Sequence, residues 1–453
     1  MGQSFRVEHD TMGEMRVPGH ALYGAQTQRA VENFPISRLR FTRPFIRALG
    51  LIKSAAARVN GELGEIPGEV AARIASAADR VAAGEFDAEF VIDIFQTGSG
   101  TSTNMNANEV IARLASAHPN DHVNRGQSSN DVIPTAIHVA AAELVHKQLL
   151  PSLGRLHKQL AAKSVEFGDV LKIGRTHLQD AVPMRMGQEF SGYARQVELS
   201  IERIAAAAAG VHELALGGTA VGTGLNAHPK FAPAVIQILA VATGVPFRKA
   251  ANHFEAQASK DAVAFLSSAL KTTAVALTKI ANDIRWLGSG PRCGLGELRL
   301  PAVQPGSSIM PGKVNPVIAE SLLMVCAQVV GHDAAVTWSC AAGNFELNVM
   351  MPVIAYDLLE SIELLANASR NFADRCIAGL EVDRERTAAF IEQSLAMGTA
   401  LAVEMGYERA AELVKEAYRT GRTVREVAVE KSGLPAERLQ TLLDPERQAG
   451  SAA

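Results

Sequence analysis

The stretch that decides the fold is residues 263–284, VAFLSSALKTTAVALTKIANDI, in which apolar side chains return every three or four positions. This spacing is the period of an α-helix that buries one face. The stripe consists of Val263, Leu266, Leu270, Thr273, Leu277, Ile280 and Ile284. A helix of this length exceeds the usual length of about 11 residues and is typical of a helical bundle.

Further helices of the same kind are predicted on both sides of this stretch. They lie at about 129–160, 190–204, 317–337 and 354–365. Ser129 offers an N-cap for the first of them, and we expect Pro134 in its first turn. Almost nothing between residues 128 and 370 alternates with the period of a strand. The sequence therefore predicts an all-α fold, and its alanine-rich runs favour helices that pack closely through small side chains.

Three domains are predicted from changes of texture along the chain. Residues 1–127 form a mixed, mostly helical N-terminal domain with helical periodicity over 45–60 and 67–83. Residues 128–378 form a central helical bundle domain, in which the long apolar stripes occur. Residues 379–453 contain short helical segments and form a small C-terminal domain.

The composition excludes several classes of protein. Lys and Arg total 44 and Asp and Glu total 47, so the net charge of −3 gives no excess that attracts nucleic acid or anionic lipid. No uncharged apolar run reaches the roughly 18 residues that cross a bilayer, and the start, MGQSFRVEHD, lacks the apolar core of a secretory signal. The cysteines lack the spacing of a zinc site or a disulfide framework. We expect a cytoplasmic protein with reduced thiols that binds neither nucleic acid nor membrane.

The segment at 305–316, PGSSIMPGKVNP, is predicted to bind an anion. Gly306 and Gly312 expose backbone N–H groups, and Lys313 adds a fixed positive charge. Glu320 follows on the next helix. Such a site can hold a negatively charged group and stabilise further charge as it develops. The alternative interpretation is a helix-start loop with an incidental lysine.

Three more polar segments lie in loops or at helix starts: TGSGT at 97–101, QSSND at 127–131 and GRTHLQD at 174–180. Hydroxyl and amide groups at helix starts are often only caps, but several of them beside a helix dipole also bind carboxylates. His177 is predicted in a loop between bundle helices. A catalytic residue and a core histidine are equally good interpretations of it.

The segment GSSIMPGKVNP at 306–316 resembles the signature of the fumarase/aspartase superfamily. Other segments match in order and extend the resemblance over nearly the whole chain; they are 22–29, 97–101, 118–121, 127–131, 174–180, 217–226 and 343–349. The segments TGSGT at 97–101, GPRCGLGE at 290–297 and NFELN at 344–348 are similar to class II fumarases. Ser102, in contrast, is similar to the residue that aspartases have there.

The resemblance implies a reaction and roles for single residues. Class II fumarases hydrate fumarate reversibly to (S)-malate in the tricarboxylic acid cycle, and they need neither cofactor nor metal. By this resemblance Ser307 is the base, His177 with Glu320 handles the water, and Lys313 balances the substrate charge. The residues that match binders of the substrate carboxylates are Ser99, Thr101, Ser128, Ser129, Asn130, Thr176, Lys313 and Asn315.

The resemblance also implies an assembly. It predicts an all-helical protomer with a central five-helix bundle, and a homotetramer whose active sites combine residues 127–131, 176–177 and 307–315 from three subunits. A second, peripheral dicarboxylate site is implied by His118, Asn120 and Asp121, although Ala115 stands where the family has an arginine. The alternative for that segment is a simple Pro-Asn-Asp turn. The alternatives for the whole protein are an aspartate ammonia-lyase and a catalytically silent structural homologue.

Overall fold

The structure of the chain, a computed structural model, describes residues 4–450. The first three residues of the start segment and the last three of the predicted C-terminal domain therefore lie outside the described residues. The chain is mostly helical, which confirms the predicted all-α fold. It begins with α1 Ala25–Asn33, α2 Arg43–Glu62, α3 Gly68–Ala83 and α4 Thr101–Ala115.

The middle of the chain contains the long helices that the apolar stripes predict. The helices here are α5 Ser129–Leu144, α6 Leu150–Glu166, α7 Met186–Ala208, α8 Phe231–Thr243, α9 His253–Ala258, α10 Asp261–Leu287, α11 Val317–Cys340 and α12 Met351–Arg375. A π-helical turn at Val145–Leu149 joins α5 to α6. The short helices that follow are α13 Arg384–Gln393, α14 Ala402–Met405, α15 Tyr407–Thr420, α16 Val424–Lys431, α17 Ala436–Leu442 and α18 Pro445–Gln448.

The strands of the described chain form only two-stranded pairs. They are β1 Phe5–Asp10, β2 Gly13–Pro18, β3 Leu171–Thr176, β4 Gln179–Arg185, β5 Glu213–Leu214, β6 Arg248–Lys249, β7 Leu298–Arg299, β8 Gly343–Asn344, β9 Leu347–Asn348 and β10 Glu381–Val382. The pairs β1–β2, β3–β4, β7–β10 and β8–β9 are antiparallel, and β5–β6 is parallel.

Two local predictions are wrong, and two helices were not predicted. Residues 174–180, predicted as a loop, belong to the hairpin of β3 and β4, because Gly174 and Pro183 obscure the alternation of this short pair. Pro134 lies inside α5 and not in its first turn, since the helix starts at Ser129. Helices α8 and α9 lie where the sequence showed no helical stripe, since α8 is apolar on most faces and α9 is only six residues long.

The chain divides into two compact units, and the divisions fall inside helices. The first unit consists of residues up to 151, 201–274 and 325–367, and the second of 152–200, 275–324 and 368 onward. This division by contacts does not test the three domains predicted from the sequence, which stay a prediction.

Small side chains bring α2 and α3 together in the first unit. Gly50 on α2 faces α3 so closely that an added Cβ would lie 2.6 Å from the backbone nitrogen of Ala82. Ala55, Ala56 and Ala78 are fully or almost fully buried. The alanine-rich composition thus has the predicted consequence, because short side chains let two helix backbones approach and bury more area per residue.

The C-terminal helices of the second unit have their own apolar core. Leu401, Leu413, Val427 and Leu443 are among its fully or almost fully buried members. Ile173 of β3 belongs to the same cluster, so this core holds one end of the β3–β4 hairpin. That hairpin carries His177 at its tip.

Helices α10 and α11 are long and apolar enough to span a membrane by length and composition. No such span was predicted from the sequence, because charged residues interrupt both helices: Lys271 and Lys279 in α10, Glu320 and Asp333 in α11. Half of the apolar window of α10 is buried inside the chain, as in the core helix of a bundle, and a third of that of α11. Length and composition alone are weak evidence for a membrane span, because the core helices of other proteins meet the same test.

The stability of the fold is expected to depend on pH through His138 of α5. Its Nδ1 lies 2.6 Å from the Glu213 carbonyl oxygen, and desolvation lowers the pKa of His138 to about 4. Between about pH 6.5 and pH 4 the unfolded chain therefore binds a proton that the folded chain does not, so stability falls as the pH falls. The loss at pH 5 is on the order of 1–2 kcal/mol.

We therefore expect the variant His138→Gln to lose part of this acid sensitivity. Thermal unfolding of wild type and variant at pH 7 and pH 5 measures the effect. The decrease in Tm between the two pH values should be smaller in the variant. An equal decrease would show that other groups cause the acid sensitivity.

Candidate active site

A chain of hydroxyl groups joins the starts of two helices in the first unit. Ser99 Oγ lies 2.8 Å from Thr101 Oγ1, which lies 2.7 Å from Ser129 Oγ. Thr101 is the first residue of α4 and Ser129 the first residue of α5. Three of the predicted carboxylate binders thus come together where the positive ends of two helix dipoles meet, an arrangement that favours an anion.

Glycine is required in the loop that leads to Thr101. A Cβ on Gly98 would lie 1.7 Å from the carbonyl oxygen of Val349, and the amide of Met351 donates a 3.0 Å hydrogen bond to the Gly98 carbonyl. Gly100 has a φ of 72°, a left-handed conformation that favours glycine. The sequence TGSGT therefore folds as a tight turn against a neighbouring backbone and holds Ser99 in place.

Ser128 and Asp131 form a capping box at the start of α5. The Ser128 side chain accepts from the Asn130 amide at 3.2 Å, and the Ser128 amide donates to Asp131 Oδ1 at 2.9 Å. Asp131 Oδ2 accepts from the amides of Gly217 and Thr219 at 2.9 and 3.0 Å. Burial raises the pKa of Asp131 against the lowering effect of these hydrogen bonds. Asp131 thus ties the glycine-rich segment 217–226 to the helix start.

Asn130 is held by the same segment. Its Nδ2 donates to the Ala220 carbonyl oxygen at 2.8 Å, which fixes the orientation of the amide group. The sequence predicted Asn130 as a ligand of the substrate carboxylate. In the structure Asn130 lies next to Ser129, and its side-chain nitrogen already donates one hydrogen bond.

The loop at 305–316 in the second unit surrounds the oxygen of Ser307 with donors. Ser307 Oγ accepts from the amides of Ile309 and Met310 at 3.2 and 3.0 Å. The base of the loop is closed by the Gly306 amide, which donates to the Lys313 carbonyl at 2.8 Å, and by Asn315 Nδ2, which donates to the Gly306 carbonyl at 2.7 Å. A Cβ on Gly306 would lie 2.7 Å from that Lys313 oxygen, so only glycine closes the loop this way.

The charged group of this loop is open to solvent. Lys313 is exposed, and over residues 4–450 its ammonium group forms no ion pair. A lysine without a carboxylate partner leaves its full charge for an anion from solution. Asn315, by contrast, uses its side-chain nitrogen to close the loop, so the structure gives it a structural contact besides its predicted role.

His177 lies at the tip of the β3–β4 hairpin, in a turn that strains the backbone. The strands pair up to Thr176 and Gln179, and the two residues between them, His177 and Leu178, have φ values of 58° and 59°. Such two-residue turns favour Asn and Gly, and other residues pay for them in strain. Thr176, His177 and Leu178 are all exposed. Strain and exposure together are typical of a functional position.

A buried ion pair fixes the hairpin just before this tip. Arg175 donates from two guanidinium nitrogens to the two carboxylate oxygens of Glu297, at 2.8 and 3.1 Å. Glu297 is completely buried, and Lys172 lies 3.7 Å from it and 3.0 Å from Glu189. The segment GPRCGLGE at 290–297, which carries part of the family resemblance, therefore positions the hairpin of His177 through Glu297.

The predicted pair of His177 and Glu320 is not formed within the chain. Over the described range, 4–450, neither side chain makes a hydrogen bond or an ion pair. Both are at least partly exposed, Glu320 near the start of α11. The two side chains stay available for partners from outside this chain.

The segment of the second predicted anion site forms a compact turn. His118 Nδ1 accepts from the Asp121 amide at 3.1 Å and lies 3.2 Å from its carboxylate. Asn120 and Asp121 line a cavity of about 380 Å³ together with Asn226. Arg113 pairs with Glu8 and Arg125 with Glu65. Both nearby arginines are thus engaged by carboxylates. The second dicarboxylate site stays a prediction.

No metal site emerges from the side chains. The part of the chain that the structure describes contains no group of three His, Cys, Asp or Glu residues placed to hold a metal ion. None of the four cysteines, all of which lie in the described residues, forms a disulfide bond.

Sequence reasoning missed three residues that support the site. Asp131 was predicted only as part of a polar segment, and Glu297 only as a family marker. Lys53 was not predicted at all, although a single lysine within the apolar run LGLIKSAAA at 49–57 of a helix is a signal of a buried charge. Its partners lie more than 70 positions away in the chain, so the sequence could not name them.

The chain is similar to known proteins along most of its length. The family described as "Lyase" matches residues 13–331, and the family described as "Fumarase C C-terminus" matches residues 398–448. A protein named "Fumarate hydratase class II" from Mycobacterium tuberculosis is 55% identical over 442 residues, covering 96% of this chain and 93% of that one. One of the same name from Methylorubrum extorquens is 52% identical over 460 residues, covering 99% and 98%.

A solved structure has nearly the same fold. The crystal structure of the recombinant class II fumarase from Schistosoma mansoni matches with a TM-score of 0.95 and 41% sequence identity, covering 99% of both chains. The similarity therefore includes both compact units and every segment of the candidate site.

Proposed function

The chain belongs to the class II fumarate hydratases of the fumarase/aspartase superfamily, and from this membership we propose how its own residues carry out the reversible hydration of fumarate to (S)-malate. The enzyme is a hydro-lyase that acts on a small dicarboxylate. The alternative of an aspartate ammonia-lyase is not favoured by these relatives.

The observation that carries the mechanism is the environment of the Ser307 oxygen. A free serine hydroxyl is far too weak a base at neutral pH, so it must act where its alkoxide is stabilised. The amides of Ile309 and Met310 already donate to Ser307 Oγ, and Lys313 lies in the same loop. We assign Ser307 as the base that takes the C3 proton of malate, with these donors stabilising the negative oxygen.

The electron pair released at C3 has to be stabilised before the hydroxyl group leaves C2. In our assignment it moves into the neighbouring carboxylate, whose added charge is balanced by Lys313 and Asn315. The pair then forms the double bond of fumarate while the C2–O bond breaks. His177, which we propose is oriented by Glu320 of another subunit, donates the proton that makes the leaving hydroxyl a water molecule.

The hydroxyl chain of the first unit is assigned to bind a substrate carboxylate. Ser99, Thr101 and Ser129 offer neutral donors at two helix starts, and Ser128, Asn130 and Thr176 are assigned to the same task. Neutral donors suit this role, because they bind an anion and leave no unpaired charge when the site is empty.

We propose that the active site is completed by other subunits of a homotetramer. The family is oligomeric, and His177 and Glu320 are left without partners within the described chain. Large apolar side chains are exposed on α10 and α11: Phe265, Trp286, Met324 and Trp338 are 54–77% exposed. Soluble monomers rarely expose large contiguous apolar patches, and we propose that these side chains belong to one that other subunits cover. In this proposal residues 127–131, 176–177 and 307–315 of one site come from three subunits.

Sedimentation measures the assembly. We expect the purified protein to sediment at four times the mass of the 48.1 kDa chain and its activity to fall when dilution dissociates it. A stable and fully active monomer would contradict the shared site.

An assay with three substrates tests the function itself. Purified protein should convert malate to fumarate, followed by the absorbance of the conjugated double bond, and consume fumarate with water alone. An aspartate ammonia-lyase would instead release fumarate from aspartate and need ammonia for the reverse reaction. A silent homologue would act on none of the three substrates. We propose that the enzyme acts in the cytoplasm and that His118, Asn120 and Asp121 form a second dicarboxylate site.

We expect the segment 306–312 to close over the substrate. Its apolar residues do not anchor it within the chain, since Ile309 is 83% and Met310 48% exposed. Gly306 and Gly312 bracket the segment, and Gly312 has a φ of 78°. Closure would exclude water and strengthen the donors around the substrate.

Hydrogen exchange of peptides spanning 304–316 measures this closure. We expect slower exchange with saturating malate than without it. Equal protection in both states would contradict the closing loop and would leave the assignment of Ser307 to its own test.

A further inference from the structure

A completely buried lysine lies beneath the carboxylate-binding helix start. Lys53, on α2, has no exposed surface. Its Nζ donates to Gln127 Oε1 at 2.9 Å and to Asn124 Oδ1 at 3.1 Å. Both acceptors are neutral amides, and within residues 4–450 no carboxylate forms an ion pair with Lys53.

The two acceptors belong to the turn that delivers Ser128. Asn124 Nδ2 donates to the Gln127 carbonyl at 3.1 Å, and Gln127 Nε2 donates to the carbonyls of Val123 and Arg125 at 3.0 and 3.2 Å. The turn at 123–127 is thus closed by its own amides, whose oxygens point to Lys53. Ser128 itself is held by Asp131, whose Oδ1 accepts a hydrogen bond from the Ser128 amide.

Burying this lysine is costly for the fold. Desolvation lowers the pKa of Lys53 to about 7, with a nearby Asp131 charge acting in the opposite direction. An apolar residue of similar shape at a buried charged position is often neutral or stabilising. A buried lysine with this desolvation cost, in contact with the turn before a binding segment, is expected where the lysine serves the site.

We propose that Lys53 is a positioning residue for substrate binding, which fixes the turn at 123–127 and thereby aims Ser128–Asn130 at the substrate carboxylate. The inference rests on the proposed role of Ser128, Ser129 and Asn130.

The test is the kinetics of Lys53→Met, which keeps most of the side chain and removes the charge and its hydrogen bonds. We expect KM for malate to rise about tenfold and kcat to change by less than about threefold, because the carboxylate contacts are made equally in substrate and transition state. The matched control is Lys163→Met, another buried lysine, which donates to the Leu380 carbonyl. It should leave KM unchanged.

A second pair of variants separates the outcomes. Ser129→Ala tests the binding role itself: if it leaves KM unchanged, that part of the proposed function fails, and the inference fails with it. If Ser129→Ala raises KM and Lys53→Met does not, the inference alone is overturned.

Gln127→Met decides the question if Lys53→Met does not fold. It removes one acceptor of Lys53 and should raise KM in the same way, while an unchanged KM would overturn the inference. Where both single variants fold, the double variant should raise KM by less than the product of the single effects, because the residues act as a unit. Multiplicative effects would show that Lys53 does not act through Gln127.

Discussion

Replacing Ser307 by alanine is expected to lower kcat by about 10³-fold or more while the fold stays intact. The substitution removes the oxygen that we assign as base, and general base catalysis contributes typically 10²- to 10⁴-fold. The side chain is only partly buried in a loop, and its hydrogen bonds come from the neighbouring amides of Ile309 and Met310, so its contribution to stability is small. Steady-state kinetics with malate, together with a Tm near that of the wild type, measures both parts.

The neighbouring serine is the matched control. Ser308→Ala removes the same hydroxyl one position later, on an exposed residue for which we propose no role, and should change kcat only a few-fold. His177→Asn should impair catalysis less completely than Ser307→Ala, since water can partly replace a proton donor at the hydroxyl end. If Ser307→Ala keeps wild-type turnover, another group removes the proton, and His177 becomes the candidate.

Replacing Lys313 by methionine is expected to lower kcat/KM by at least about 10²-fold. This is the scale on which one preorganised electrostatic contact stabilises a transition state. Methionine keeps much of the length of the side chain but removes the charge that balances the substrate carboxylate and the further charge that develops on it. The backbone contact that closes the loop, from the Gly306 amide to the Lys313 carbonyl, does not depend on the side chain.

Two further variants show whether the charge itself matters. Lys313→Arg keeps the charge and should retain more activity than Lys313→Met. Lys158→Met removes an exposed lysine of α6 for which we propose no catalytic role, and should leave kcat/KM within a few-fold. If Lys313→Met itself stays within a few-fold of wild type in both kcat and KM, Lys313 has only a structural role.

The long helices and the all-α fold could be predicted because helical periodicity is local. The stripe from Val263 to Ile284 repeats within each turn, and every residue needed to recognise it lies within four positions of the next. The hairpin that carries His177 could not be predicted in this way. Its strands are short, and its turn has left-handed backbone at His177 and Leu178, for which the sequence offers neither Asn nor Gly.

The sequence by itself determined which chemical groups are present: the loop with Ser307 and Lys313, the hydroxyl segments, and the resemblance that identifies the reaction. Tertiary structure alone decided what each group contacts. It brought Thr101 to Ser129, Arg175 to Glu297 and Lys53 to Gln127, pairs that are 28, 122 and 74 positions apart. Side-chain chemistry is written residue by residue, but hydrogen bonds and desolvation depend on distances between remote residues, which only the packing of the helices fixes.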